Sequence, residues 1–138
     1  MQLNVFRTLW GVTTPWQQTV SELQSVGCCG IEARVPLTTE EQRTLARRLE
    51  ASALQYIAIV FSGGGVIPAQ AETPAQHLER LKERFAAAKA LNPRFVNLLA
   101  GNDRWPLAQQ VDFLGRAHEL AAEYELLCSF ETHRATSL

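Results

Sequence analysis

Leu126-Leu127-Cys128-Ser129-Phe130-Glu131-Thr132-His133-Arg134 reads as a short buried strand that runs directly into a carboxylate, an imidazole and a guanidinium. Strand side chains alternate between faces, which puts Leu127, Ser129, Glu131 and His133 on one side and Cys128 and Phe130 on the other. Glu131 and His133 are then neighbours at the C-terminal end of a strand. The kind of sheet this strand joins is decided by what precedes it.

Immediately upstream, Pro106 enters a helix whose apolar positions are Leu107, Val111, Leu114, Ala117 and Ala121. Before it, Phe95 to Leu99 reads as a strand that gives way to the polar turn Gly101-Asn102-Asp103-Arg104. Thr73-Pro74-Ala75-Gln76 is a capped start for a long helix with Leu78, Leu81, Phe85 and Ala88 as its buried stripe, ending at Asn92-Pro93. On this helix His77, Arg80, Lys82 and Arg84 are expected in water, as is His118 on the later one. The run Gln55 to Phe61 is almost continuously apolar and suits a central strand covered on both faces. After it, Ser62-Gly63-Gly64-Gly65 begins a loop reaching about Thr73 whose glycines allow a ligand to be cradled. Its spacing fits neither the Walker nor the dinucleotide fingerprint and favours a flexible lid or loop.

Towards the N-terminus the same alternation continues. Thr38-Thr39-Glu40-Glu41-Gln42 offers a capping box in either of two registers, and its helix carries Leu45, Leu49 and Ala53 inward. Gly30 to Val35 is a strand with Ile31, Ala33 and Val35 on one face and Glu32 and Arg34 on the other. Thr14-Pro15 starts a helix with Trp16, Val20, Leu23 and Val26 at helical spacing. Leu3 to Trp10 is the first strand.

The order β-α-β-α-β-α-β-α-β implies a parallel sheet with right-handed crossovers. Two α/β architectures accommodate it: an open doubly wound sheet of five strands, or the front part of a (β/α) barrel of the TIM type, an incomplete barrel with about five parallel strands and four helices. Glu32 with Arg34, Asn97, and Glu131 with His133 all fall at or near C-terminal strand ends, where ligand sites lie in both.

Composition narrows the partners. At 138 residues and 46% hydrophobic, the chain suits one domain spanning 1–138 with a single core. A net charge of −1 gives no electrostatic reason to expect nucleic acid. The three cysteines, Cys28, Cys29 and Cys128, fit neither a disulfide framework nor a zinc pattern and suit a reducing compartment. With no signal-peptide pattern and no membrane-length apolar run, the cytoplasm is the expected location and no membrane partner is expected.

Leu9-Trp10-Gly11 after the first strand, Gly27-Cys28-Cys29-Gly30-Ile31-Glu32-Ala33 into the second, and above all Phe130-Glu131-Thr132-His133-Arg134 resemble the N-terminal part of the xylose isomerase-like TIM barrels. That superfamily holds sugar and sugar phosphate isomerases and epimerases and the endonuclease IV-type enzymes. The likeness covers essentially the whole chain and little more than half of the family domain.

The resemblance implies a divalent metal (Mn, Mg, Co or Zn) held at the barrel mouth by a glutamate after the fifth strand and by an aspartate, a histidine and a second glutamate from later strands. Glu131 matches the first ligand, and the other three fall beyond Leu138. It also implies that the two glutamates exchange a proton with adjacent carbons of a small sugar or sugar phosphate. The isolated chain is therefore expected to show no turnover. An endonuclease would want metal-binding histidines at early strand ends, but those strands end in Arg34-Val35-Pro36 and Phe61-Ser62-Gly63. A third expectation is a non-catalytic half-barrel or five-stranded open-sheet unit that covers its edges by joining a copy or a partner chain.

Each site residue also has a structural reading. Glu131, catalytic and metal-binding on the resemblance, can instead pair with Arg134 or cap a helix. His133 and Arg134 are candidate substrate contacts, with His133 also able to orient Glu131, ligate a metal or sit exposed in a loop. Glu32 and Arg34 line a pocket or neutralise each other. Trp10 is a wall of the sugar site or packing, and Asn97 reaches a substrate hydroxyl or is satisfied by backbone.

Overall fold

A computed structural model describes residues 3–137. Five strands, β1 (Phe6–Thr8), β2 (Gly30–Arg34), β3 (Gln55–Phe61), β4 (Phe95–Leu99) and β5 (Cys128–Phe130), alternate with four helices, α1 (Trp16–Ser25), α2 (Thr39–Ser52), α3 (Pro74–Lys89) and α4 (Leu107–Glu123). Every neighbouring pair is parallel, and the spatial order is β1-β2-β3-β4-β5, identical to chain order. That order decides between the two architectures. A doubly wound sheet reverses direction at a switch point and puts helices on both faces, whereas right-handed crossovers that always step the same way put every helix on one face. The result is five strands of a TIM-type barrel.

The two faces differ as that requires. Ile31, Tyr56, Ala58, Val60, Val96 and Leu98 point outward into the main core, where they meet Leu23, Leu49, Leu81, Phe85, Phe113 and Leu120 of the helices. Inward, Ile59, Phe61 and Leu99 form a second, small apolar cluster against Val66. Polar residues share this inner face at mid-strand, Glu32 on β2 and Asn97 on β4, and not at the strand ends as the sequence suggests. At its base, Gly30 pairs with Phe6 across β1 and β2, and the Phe6 ring lies against the glycine.

Capping chemistry sets two helix starts as the sequence indicates. Thr38 accepts from the Glu41 backbone N–H and Glu41 returns a carboxylate to the Thr38 N–H, and Thr73 and Gln76 do the same for α3. At α1 Pro15 takes the N-cap place with no side-chain cap, while Thr14 bonds the Thr19 hydroxyl at 2.9 Å. Four positions assigned to apolar stripes are exposed, not buried. Ala53 is a left-handed C-cap, and Val26 is 72% exposed just past α1. On α4 the buried stripe is Phe113, Ala117, Leu120 and Ala121, whereas Leu107 and Val111 stand 75% and 62% exposed. No further element packs on that side among the described residues, so a helix with two apolar stripes buries one.

Candidate functional site

Glu32, Asn97 and Glu131 come together at the mouth from β2, β4 and the residue after β5. Asn97 Nδ2 donates to Glu131 Oε2 at 2.6 Å and to Glu32 Oε1 at 3.2 Å. Ser129, the register partner of Asn97, donates its hydroxyl to Asn97 Oδ1 at 3.4 Å, and this turns the amide so that its NH2 lies between the carboxylates. An amide with two donors is the neutral side chain suited to hold two like charges at one point. Glu32 therefore pairs with Asn97 and makes no ion pair with Arg34 among the described residues.

His133 is placed differently from the strand argument. β5 ends at Phe130, so two-residue alternation does not extend to His133. Its backbone N–H donates to Thr136 Oγ1 at 3.2 Å and its Nδ1 lies 3.0 Å from the Arg134 carbonyl, in a turn closed by Ala135 at φ 65°. Arg134 is exposed beside it, with no ion pair to Glu131 among the described residues. Trp10 stands at the opposite side of the mouth, 57% exposed, edge-on to Phe61 with ring centres 6.3 Å apart.

Beneath the β3–α3 loop lies a buried polar cluster with no counterpart in the sequence reading. His77 is fully buried, not in water. The Gly101 N–H donates to Ser62 Oγ at 2.8 Å, and the same oxygen lies 2.8 Å from His77 Nδ1. In the Nε2–H tautomer, which the Glu72 carboxylate beside Nε2 favours, that hydroxyl donates to Nδ1. Nε2 lies 3.0 Å from Glu72 Oε2 and Arg80 Nη1 3.3 Å from the same oxygen, neither with its N–H aligned on an acceptor. Glu72 also accepts from the Gly64 N–H at 3.1 and 3.2 Å.

Arg84, again expected at the surface, is half-buried and donates to the carbonyls of Phe61 and Gly63, the latter at 2.7 Å. The glycine loop is therefore fastened from below. Burial holds the His77 pKa under its ordinary value against the opposing pull of Glu72, with Arg80 and Arg84 adding to the depression. Ser62, His77 and Glu72 have the connectivity of a nucleophile triad but not its accessibility, since Ser62 is fully buried and its oxygen is already engaged. The position of His77, four residues before Leu81 and eight before Phe85 on one helical stripe, was the available signal. Burial also pushes the Cys128 thiol up to about 11, away from thiolate chemistry.

The residues present do not complete a metal site. Among the described residues no three of His, Cys, Asp and Glu are gathered closely enough to hold an ion. The mouth offers two carboxylates already bridged by an amide. Asn97→Asp is expected to cost about 1 kcal/mol through like-charge repulsion at this point. Added Mn2+ should then raise the melting temperature of the variant and leave the parent unchanged, as read by differential scanning fluorimetry.

With a sequential parallel sheet, helices on its outer face and polar groups on its inner face, the chain has the fold of an incomplete (β/α) barrel, and solved structures that include a xylose isomerase domain protein are similar to it. D-allulose 3-epimerase from Methylomonas sp. is similar over 98% of this chain and 53% of its own, with TM-score 0.71 and 15% identity. A xylose isomerase domain protein from Planctomyces limnophilus gives 0.64 at 18% identity over 97% and 55%. The IolI protein with a binding zinc atom gives 0.67 at 12% identity over 98% and 54%. The chain spans about half the length of these structures. No family model and no curated protein sequence matches it. None of the described helices is long and apolar enough to cross a membrane.

Proposed function

We propose that the chain is a half-barrel, not catalytic by itself, that joins a copy or a partner chain through the open edges of β1 and β5 and presents one polar wall for a small sugar-like molecule. The observation that carries this reading is the Asn97 amide shared between Glu32 and Glu131, a pair of carboxylates short of a metal ligand set. Exposed apolar groups support the association: Leu3 and Val5 precede β1, Leu127 precedes β5, and Leu107 and Val111 face outward from α4. Trp10, Glu32 and Asn97 line the wall, with His133 and Arg134 flanking Glu131. The three free cysteines suit a reducing compartment such as the cytoplasm.

The position of Glu131, directly after β5, favours a second reading in which these five strands belong to a complete metal-dependent sugar or sugar phosphate isomerase/epimerase. Mn, Mg, Co or Zn would then need three further donors from later strands. Purified chain with Mn2+ and D-allulose as probe separates the two. Half-barrel behaviour is no turnover together with a sedimentation mass above 15.4 kDa. Turnover that disappears in Glu131→Gln overturns it.

A further inference from the structure

Two guanidinium groups converge on the start of the β3–α3 loop, Arg34 on the Phe61 ring and Arg84 on the Phe61 and Gly63 carbonyls. Arg34 lies over the Phe61 ring at 4.7 Å and makes no ion pair among the described residues. Arg84 spends its donors on the carbonyls of Phe61 and Gly63, which satisfy its hydrogen bonds without supplying a counter-charge. After burial, Arg80 depresses the Arg84 pKa, Glu83 pulls it back up, and Arg34 adds a smaller depression that Glu72 opposes. Glu72 is already shared among Gly64, His77 and Arg80. Arg34 thus stands at this point without a carboxylate partner among the described residues.

Beside Arg34 lies a cleft. A space of about 310 Å³ is walled by Leu9, Trp10, Gly11, Ala33 and Ile59, and Arg34 is its one charged lining residue. A guanidinium resting on an aromatic face is held in plane, with its forked donors free for a planar or tetrahedral oxyanion. Apolar walls beside it reduce the competition from water.

We infer that the mouth takes a small molecule bearing an oxyanion, a carboxylate or a phosphate, with that group on Arg34 and its carbon-bound face against Trp10. This rests on the reading of the mouth as a ligand site and adds the charge and orientation of the ligand. Ligand enters with its anionic end towards β2 and β3, and its far end points towards Glu32, Asn97 and Glu131.

Inorganic phosphate and acetate, titrated separately into the purified chain, test this by NMR on the Trp10 indole N–H and the Gly63 to Gly65 amides, with the Trp16 indole as internal reference. Saturable shifts are expected with at least one anion, and Arg34→Gln should raise the dissociation constant about tenfold or more. Arg43→Gln, on the exposed face of α2, should leave it unchanged. Tighter phosphate assigns a phosphorylated ligand, and tighter acetate a carboxylic acid. Shifts that grow without saturating, or that are the same in Arg34→Gln, overturn the inference. Sedimentation of the same samples tests the half-barrel association separately: loss of association with Arg34-dependent saturation intact leaves the oxyanion site standing.

Discussion

Replacing His77 by alanine is expected to lower the free energy of unfolding by about 4 kcal/mol, the sum of a cavity and a stranded hydroxyl. The ring is packed edge-on against Trp105 and Phe113, with centres 4.8 and 5.8 Å away, so its removal leaves a void between α3 and α4 that those aromatics cannot both fill. Ser62 also loses the acceptor for its proton in a fully buried position. A urea titration followed by tryptophan fluorescence measures the change. His118→Ala on the exposed face of α4 is the control and should move stability by less than about 0.5 kcal/mol.

Acid should produce a related effect in the parent chain. Because the folded state depresses the His77 pKa below 6.5, the unfolded state binds the proton more readily. The contribution is fully present above pH 6.5 and falls as the pH drops from there towards the lower folded value. Protonation at Nδ1 also forces the Ser62 hydroxyl to turn away from its acceptor. His77→Ala should flatten this part of the stability-versus-pH curve.

Gly30→Ala is expected to cost about 3 kcal/mol or more through overpacking in a strand with neighbours on both sides. A methyl group there would run into the Gln55 backbone carbonyl of β3 and the Phe6 ring of β1. The carbonyl belongs to the strand ladder and cannot withdraw without breaking it, so relief must come from the ring. Pairing Gly30→Ala with Phe6→Leu should recover part of the loss. Equal destabilisation in the single and double variants would show that the carbonyl, not the ring, sets the cost.

Element type was legible in the sequence because it depends on local signals. The capping boxes at Thr38 and Thr73, the Leu78-Leu81-Phe85-Ala88 stripe and the apolar run of β3 each state their structure within a few residues. The choice of barrel over open sheet was not local, since it lies in strand order, and only the resemblance pointed to it. At the mouth, Glu32, Asn97 and Glu131 were each placed by strand alternation, but their shared amide depends on register across four strands, β2 to β5. His77, Arg80 and Arg84 were misplaced for a common reason. Polar residues on a helix are ordinarily solvated, and here the end of β3 and the glycine loop folded over them and supplied partners from up to 23 residues away. The stripe of α4 misled in the opposite sense, because apolar spacing indicates what can be buried and not what is available to bury it.

A sheet in which each strand bonds only to the strands before and after it in the chain is assembled like a stack, one βα unit laid on the last. Coupling in such an array runs mainly between adjacent units, and growth can start at one place and propagate, as in solenoid proteins. For this chain the early units can find their outer core as they leave the ribosome, without waiting for a distant partner strand. Units can likewise be gained or lost at either end during evolution without rewriting the pairings between.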